Sequence, residues 1–201
     1  MTRSFTGHIA GLGTTSGTRL VLGHWLTSPF GSFADVMVEE PDGVRTLVAP
    51  STELGDFVAS TYTFDRIVVE PVDVVPGPTW RVSTPSLELS FEVGRRHPVA
   101  YPLRLVPAAL GRSQGWARAV DPVARRLMRG VRTHGSAGNG DRVEWYAARD
   151  VHRLRSASAR WAGTDLGTMA PVDPPVRFGF GSAPRTPTLT HLTSYVADRA
   201  Q

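Results

Sequence analysis

The chain has 201 residues, 41% hydrophobic and 20% charged, with a formal net charge of +4 and no cysteine. That composition suits one soluble domain with a substantial core and excludes disulfide frameworks, thiol catalysis and cysteine-held metals. All 22 basic residues are arginine; a guanidinium stays protonated and is a poor nucleophile, so only the N-terminal amine could form a Schiff base.

Residues 1–94 hold 5 Arg and 11 acids, whereas residues 95–201 hold 17 Arg and 7 acids. Such asymmetry marks a surface for nucleic acid or another polyanion, or two solvated faces of opposite sign that pair in a homo-oligomer. Met1 to His8 lacks the apolar run of a signal peptide, and no 18-residue apolar stretch could span a membrane. The expectation is a soluble, cytoplasmic protein.

Residues 5–12 and 18–26 read as strands. The Gly-rich stretch between them, Gly11 to Gly17, leads into a strand and not a helix, so it reads as a hairpin loop and not a phosphate cradle. Phe33 to Glu40 and Val44 to Ala49 form the clearest hairpin. Pro41 presets φ and Gly43 supplies a positive φ between them. This hairpin carries Asp35 inside the apolar run Phe33, Val36, Met37, Val38. Ser51 to Ala59 predicts a short helix with Leu54, Phe57 and Val58 on one face.

Residues 64–75 are β-rich, with Pro71 marking an edge or a bend. Trp80 to Ser83 and Leu87 to Val93 predict a strand pair, the second with Leu87, Leu89, Phe91 and Val93 inward. Residues 95–132 then carry nine Arg and one acid, Asp121. Within them, 113–129 has a helical pattern whose apolar stripe is Trp116, Val120, Val123 or Ala124, and Leu127. Asn139-Gly140 is a hairpin turn. Strands follow at 142–149 and 151–161, a turn at 163–167, a Pro- and Gly-rich loop at 171–187, and a last strand from Leu189 to Ala197. Regular turns and few β-helix-β units predict a mainly β (α+β) single domain over 1–201. The expected architecture is a curved antiparallel barrel, closed or nearly closed, with two or three short covering helices.

The succession of features resembles the acetoacetate decarboxylase-like superfamily. Gly31-Ser32-Phe33-Ala34-Asp35 is similar to that family's Gly-x-aromatic-x-Glu segment, and residues 64–93 to its strand, turn and strand pair. From Arg132 to Tyr195 the likeness runs through Val143-Glu144-Trp145, Ala157-x-Ala159-x-Trp161-x-Gly163 and the Pro-x-x-Pro-Pro-Val run of 171–176. The resemblance implies a barrel around a pocket for a small organic acid or carbonyl compound. It does not carry over the family's catalytic lysine, since residues 55–66 offer Tyr62 and Arg66 instead, and the family's pocket glutamate is here the shorter Asp35. Schiff-base decarboxylation is thereby excluded unless the N-terminal amine serves.

The candidate pocket residues are Asp35 and Glu144 as acid/base groups, with Arg19, Tyr146 and Arg177 as ligand-binding groups. An arginine in an apolar cavity anchors a carboxylate, and burial would tune either acid. Asp35 can equally be a structural acid paired with Arg19, and Glu144 a solvent-facing strand residue. The six histidines have no His-x-His or His-x-x-x-His spacing, so neither a metal nor a cofactor is expected. His134, Ser136 and Asp141 lack the Gly-x-Ser-x-Gly elbow of a hydrolase. The rival reading is a polyanion- or protein-binding module built on the Arg-rich 95–132 segment.

Overall fold

The computed structural model describes residues 2–128, 130–137, 142–179 and 183–198. It is mainly β. The strands are β1 (Thr2–Thr14), β2 (Arg19–Thr27), β3 (Phe33–Glu39), β4 (Arg45–Ala49), β5 (Arg66–Val69) and β6 (Asp73–Val75). They continue as β7 (Thr79–Ser83), β8 (Leu87–Arg96), β9 (His134–Ala137), β10 (Arg142–Trp161), β11 (Thr164–Ala170) and β12 (Thr188–Asp198). Four short helices accompany them: α1 (Thr52–Ala59), α2 (Ala100–Leu105), α3 (Ala108–Gly111) and α4 (Gln114–Leu127). No described helix is long and apolar enough to cross a membrane.

The twelve described strands join one sheet, ten of them in the order β5-β4-β3-β2-β1-β11-β10-β8-β7-β6, with β12 paired to β1 and β10 and β9 paired to β10. The spine is β10, a 20-residue strand where the sequence suggested two. A register shift between Ala148 and Asp150 lets one strand run through that point, as a bulge does by inserting an unpaired residue. Along one side β10 meets β12 and then β11; along the other it meets β9 and then β8. The segment after Gly163, expected only as a turn, supplies β11. The Asn139-Gly140 turn lies outside the described residues.

The two ends of the sheet, β5 and β6, are joined by residues 70–72 alone. Three linking residues reach about 14 Å at most, so the sheet must curl back on itself. Trp80 of β7 accordingly meets the rings of His8 and His24 on β1 and β2, 5.2 and 5.4 Å away. The result is a partial ring, not a barrel sealed by hydrogen bonds. Its concave core joins Leu12, Leu20, Leu22, Val36, Val38, Val48, Leu87, Leu89 and Phe91. The expected alternation of β8 thus holds, with Leu87, Leu89 and Phe91 buried.

The β3–β4 hairpin forms as read, with Gly43 at φ 92° and its N–H donating to the Glu40 carbonyl. Purely antiparallel pairing does not hold throughout, for β4 and β5 run parallel. The reason is α1, which carries the chain back over the sheet between them, as a parallel neighbour requires. Ser51 caps this helix by accepting from the Leu54 N–H at 3.3 Å. Leu54 and Val58 are buried, and Val58 belongs to a second, convex-side cluster with Val21, Met37, Leu47, Val172, Phe178 and Leu192. The convex face is therefore covered in part by α1 and by residues 171–179.

The Arg-rich helix α4 half-buries Trp116, Val120 and Ala124 of the expected stripe and buries two residues beside them more deeply. Ala117 and Asp121 are its buried positions, while Val123 is exposed. Asp121 is drawn inward because it accepts from the Thr133 N–H at 2.7 Å and pairs with Arg125 at 2.6 Å. The side chain of Leu127 lies outside the described residues.

Candidate functional site

Strand alternation sends Ala34, Val36 and Val38 of β3 into the concave core and leaves Asp35, Met37 and Glu39 on the convex face. The same rule on β10 puts Glu144 and Tyr146 on that face, as it does Ser194 on β12, which is register partner to Tyr146. Asp35 and Glu144, far apart in sequence, thus line one cleft of about 370 Å³ measured out to its mouth. Its walls are the rings of Phe5, Trp25, Phe33, Phe57 and Tyr62, and the remaining polar groups are Thr61 and Ser194. No arginine lines it.

Asp35 is 2% exposed and accepts from the indole N–H of Trp25 at 3.0 Å. Gly23 makes this bond achievable: a Cβ there would stand 2.6 Å from Asp35 Oδ1 and 2.8 Å from Trp25 Nε1. Burial pushes the Asp35 carboxyl up to about 7, and the Trp25 bond offsets only part of that rise. A carboxyl with such a value exchanges its proton near neutrality, the property a general acid or base needs.

Glu144 is equally buried but better served. Tyr62 Oη lies 2.8 Å from both of its carboxylate oxygens, Ser194 donates to Oε1 at 2.8 Å, and the Tyr146 hydroxyl stands 3.2 Å from that of Tyr62. Burial raises the Glu144 carboxyl, while the hydroxyl bonds from Tyr62, Ser194 and Tyr146 act the other way. Burial and the Glu144 charge push the Tyr62 phenol well above its ordinary value, so it remains a donor. Tyr62, one of the two residues the sequence offers in the region of the resembled family's lysine, thus lines the cleft. Tyr62 was noted in the sequence only as a substitute for that lysine; its place became visible once α1 fixed the following loop.

Arg19 and Arg177 are not brought to this cleft. Both grip Glu39, which is completely buried: Arg19 Nη2 at 3.2 Å, and Arg177 Nε and its backbone N–H at 2.7 Å each. Arg19 also donates to the Pro174 carbonyl at 3.2 Å. The cluster clasps the Pro-rich loop to the β3–β4 hairpin, and the acid paired with Arg19 is Glu39, not Asp35. Arginines at the rim of the cleft are others: the guanidinium groups of Arg3 and Arg142 lie 5.7 and 5.5 Å from the Phe57 ring centre.

His8, His24 and His191 form a cross-strand row on β1, β2 and β12, with His8–His191 ring centres 5.0 Å apart. Among the described residues, no three His, Asp or Glu side chains converge to hold a metal ion. His134 approaches the Gln114 amide at 3.1 Å, and Asp141 lies outside the described residues. In the basic segment Arg96 pairs with Asp150 and Arg125 with Asp121, while Arg104, Arg118 and Arg126 are exposed on α2 and α4.

No known family matches the chain by sequence, and no curated protein does. Among solved structures it is similar to a Nitrosomonas europaea protein carrying a provisional AttH name, at 11% identity and a TM-score of 0.34. That likeness covers 99% of this chain, which spans 52% of the other protein's length.

Proposed function

We propose that the cleft between β3, α1, β10 and β12 binds a small carbonyl compound, with Asp35 and Glu144 supplying its polar contacts and any acid/base step. The observation that carries this reading is two buried carboxyl groups from distant parts of the chain lining one aromatic-walled cleft. The acetoacetate decarboxylase-like resemblance supports it, since the segment around Asp35 is similar to one the family sends into its pocket and Tyr62 falls in the region of the family's lysine. Of the two ligand classes that resemblance implies, the carbonyl compound suits the cleft better. Inside the cleft a free carboxylate would meet two acids, with guanidinium groups only at the rim, whereas a carbonyl oxygen can accept from protonated Asp35 or from a hydroxyl. Without lysine, any chemistry here is proton transfer and not amine condensation.

A thermal-shift screen of small aldehydes and ketones tests this, followed by titration of the best ligand across pH. Binding should weaken from about pH 6 to about pH 8 as Asp35 loses its proton. Carbonyl binding that strengthens over that range, or no saturable binding by any aldehyde or ketone, overturns the proposal. The rival polyanion reading rests on exposed Arg104, Arg118 and Arg126; it requires salt-sensitive retention on heparin, reduced when these three are replaced by Gln.

A further inference from the structure

A second cleft, about 650 Å³ measured out into open solvent, lies where α2 and the end of α4 lean against the convex face of β1, β10 and β12. Its walls are nearly all aliphatic, with Ile9, Leu103, Val151 and Leu192 facing Val99 and Ala124. Two polar side chains reach it from the segment leading into β9, Arg132 and Thr133. The Thr133 hydroxyl is engaged, donating to the Ala117 carbonyl at 2.7 Å. Arg132 has no ion pair or hydrogen bond with any described residue. Tyr146 forms part of the wall here while its hydroxyl belongs to the Glu144 network, so one side chain separates two cavities of different chemistry.

We propose that this second cavity binds an aliphatic monocarboxylate of medium chain length, its tail under α2 and α4 and its carboxylate on the Arg132 guanidinium. The aliphatic lining favours a ligand that removes methylene groups from water. Arg132, an exposed residue among those lining the cavity, would select the head group: a carboxylate accepts two guanidinium N–H groups side by side, an alcohol uses them poorly, and an ammonium is repelled. This is where the anion anchoring anticipated for Arg19 and Arg177 finds an arginine free to perform it.

Octanoate, octanol and octylamine would be titrated into the full chain, followed by amide NMR shifts over residues 99–133. Octanoate should bind saturably, octanol about tenfold more weakly, and octylamine more weakly still. Arg132→Met keeps the apolar stem at an exposed position and should weaken octanoate about tenfold while leaving octanol unchanged. Ala124→Phe, which fills the cavity, should exclude both. Asp35→Asn should leave octanoate affinity as it was. The proposal is overturned if wild type shows no saturable octanoate binding, or if Arg132→Met binds it as tightly. It is equally overturned if Asp35→Asn abolishes binding, which would locate the acid in the other cleft.

Discussion

The Tyr62 hydroxyl lies 2.8 Å from each carboxylate oxygen of Glu144, so a residue just after α1 covers an acid on β10. One O–H shared between two oxygens favours the ionised carboxylate, and it ties the α1 loop to the far side of the sheet. Tyr62→Phe removes that donor and leaves Glu144 with Ser194 and Tyr146. The variant should lose about 1–3 kcal/mol, and more at pH 8 than at pH 5, because the charged acid needs the donor most. Denaturant unfolding at both pH values checks this. Equal stability of variant and wild type would mean the contact holds nothing together.

Asp35 makes a separate prediction through its protonation. Its folded-state value, about 7, lies above the 3.8 of an unperturbed aspartate. Between those values the folded chain holds a proton the unfolded chain has released, so this group's contribution falls as pH rises from about 4 to about 7 and is flat beyond. Asp35→Asn keeps an acceptor for Trp25 without the charge. It should gain stability relative to wild type above pH 7, up to about 4 kcal/mol by linkage, and little near pH 4. Melting temperatures from pH 4 to pH 8 would show the difference widening with pH; a constant difference would mean Asp35 titrates normally.

The legible parts of the sequence were those written in local pattern. Pro41-Asp42-Gly43 could only be a turn, and the alternation from Leu87 to Phe91 could only be a strand with one buried face. Asp35 stood out because it breaks an apolar run. What could not be read was long-range pairing. That β10 takes four partners, or that Gly163 leads into a strand, depends on the edges the finished sheet leaves open. Arg19 looked like a pocket residue because a buried arginine needs an acid, and Glu39 offers no sequence signal that it is the acid meant. The stripe read on α4 missed Asp121 for a related reason: that acid is buried with its bond from the Thr133 N–H, a tertiary contact invisible to periodicity.

Glu39 is the centre of a clasp whose two arms differ in burial. Arg19 is 4% exposed and Arg177 is 64% exposed. Glu39→Ala strands the Arg19 guanidinium in the interior without a counter-charge, a change that costs about 3–5 kcal/mol where a buried pair is broken. Arg177→Ala removes the exposed arm alone and should cost about 1 kcal/mol or less. Chemical denaturation of both variants distinguishes a central acid from a decorative one, since similar small losses would show that Glu39 is not holding the loop.

The histidine row and Asp35 oppose each other in acid. Burial, reinforced by neighbouring His191 and His24, lowers His8 to about 4, against 6.5 for a free imidazole, and burial lowers His24 as well. From about pH 6.5 down to about 4 the unfolded chain therefore gains protons that folded His8 refuses, so this contribution shrinks as pH falls. Asp35 contributes with the opposite sign across nearly the same range, and in wild type the two slopes partly cancel. His8→Phe keeps a ring beside Trp80, now 5.2 Å from the imidazole, and removes one titrating group. Its stability should therefore drop less than that of wild type between pH 6.5 and pH 4.5, with the Asp35 slope more visible beneath. Melting profiles of His8→Phe and of the double variant with Asp35→Asn would separate the two contributions. A His8→Phe profile parallel to wild type through that range would show that the buried imidazole takes up its proton as readily in the fold as outside it.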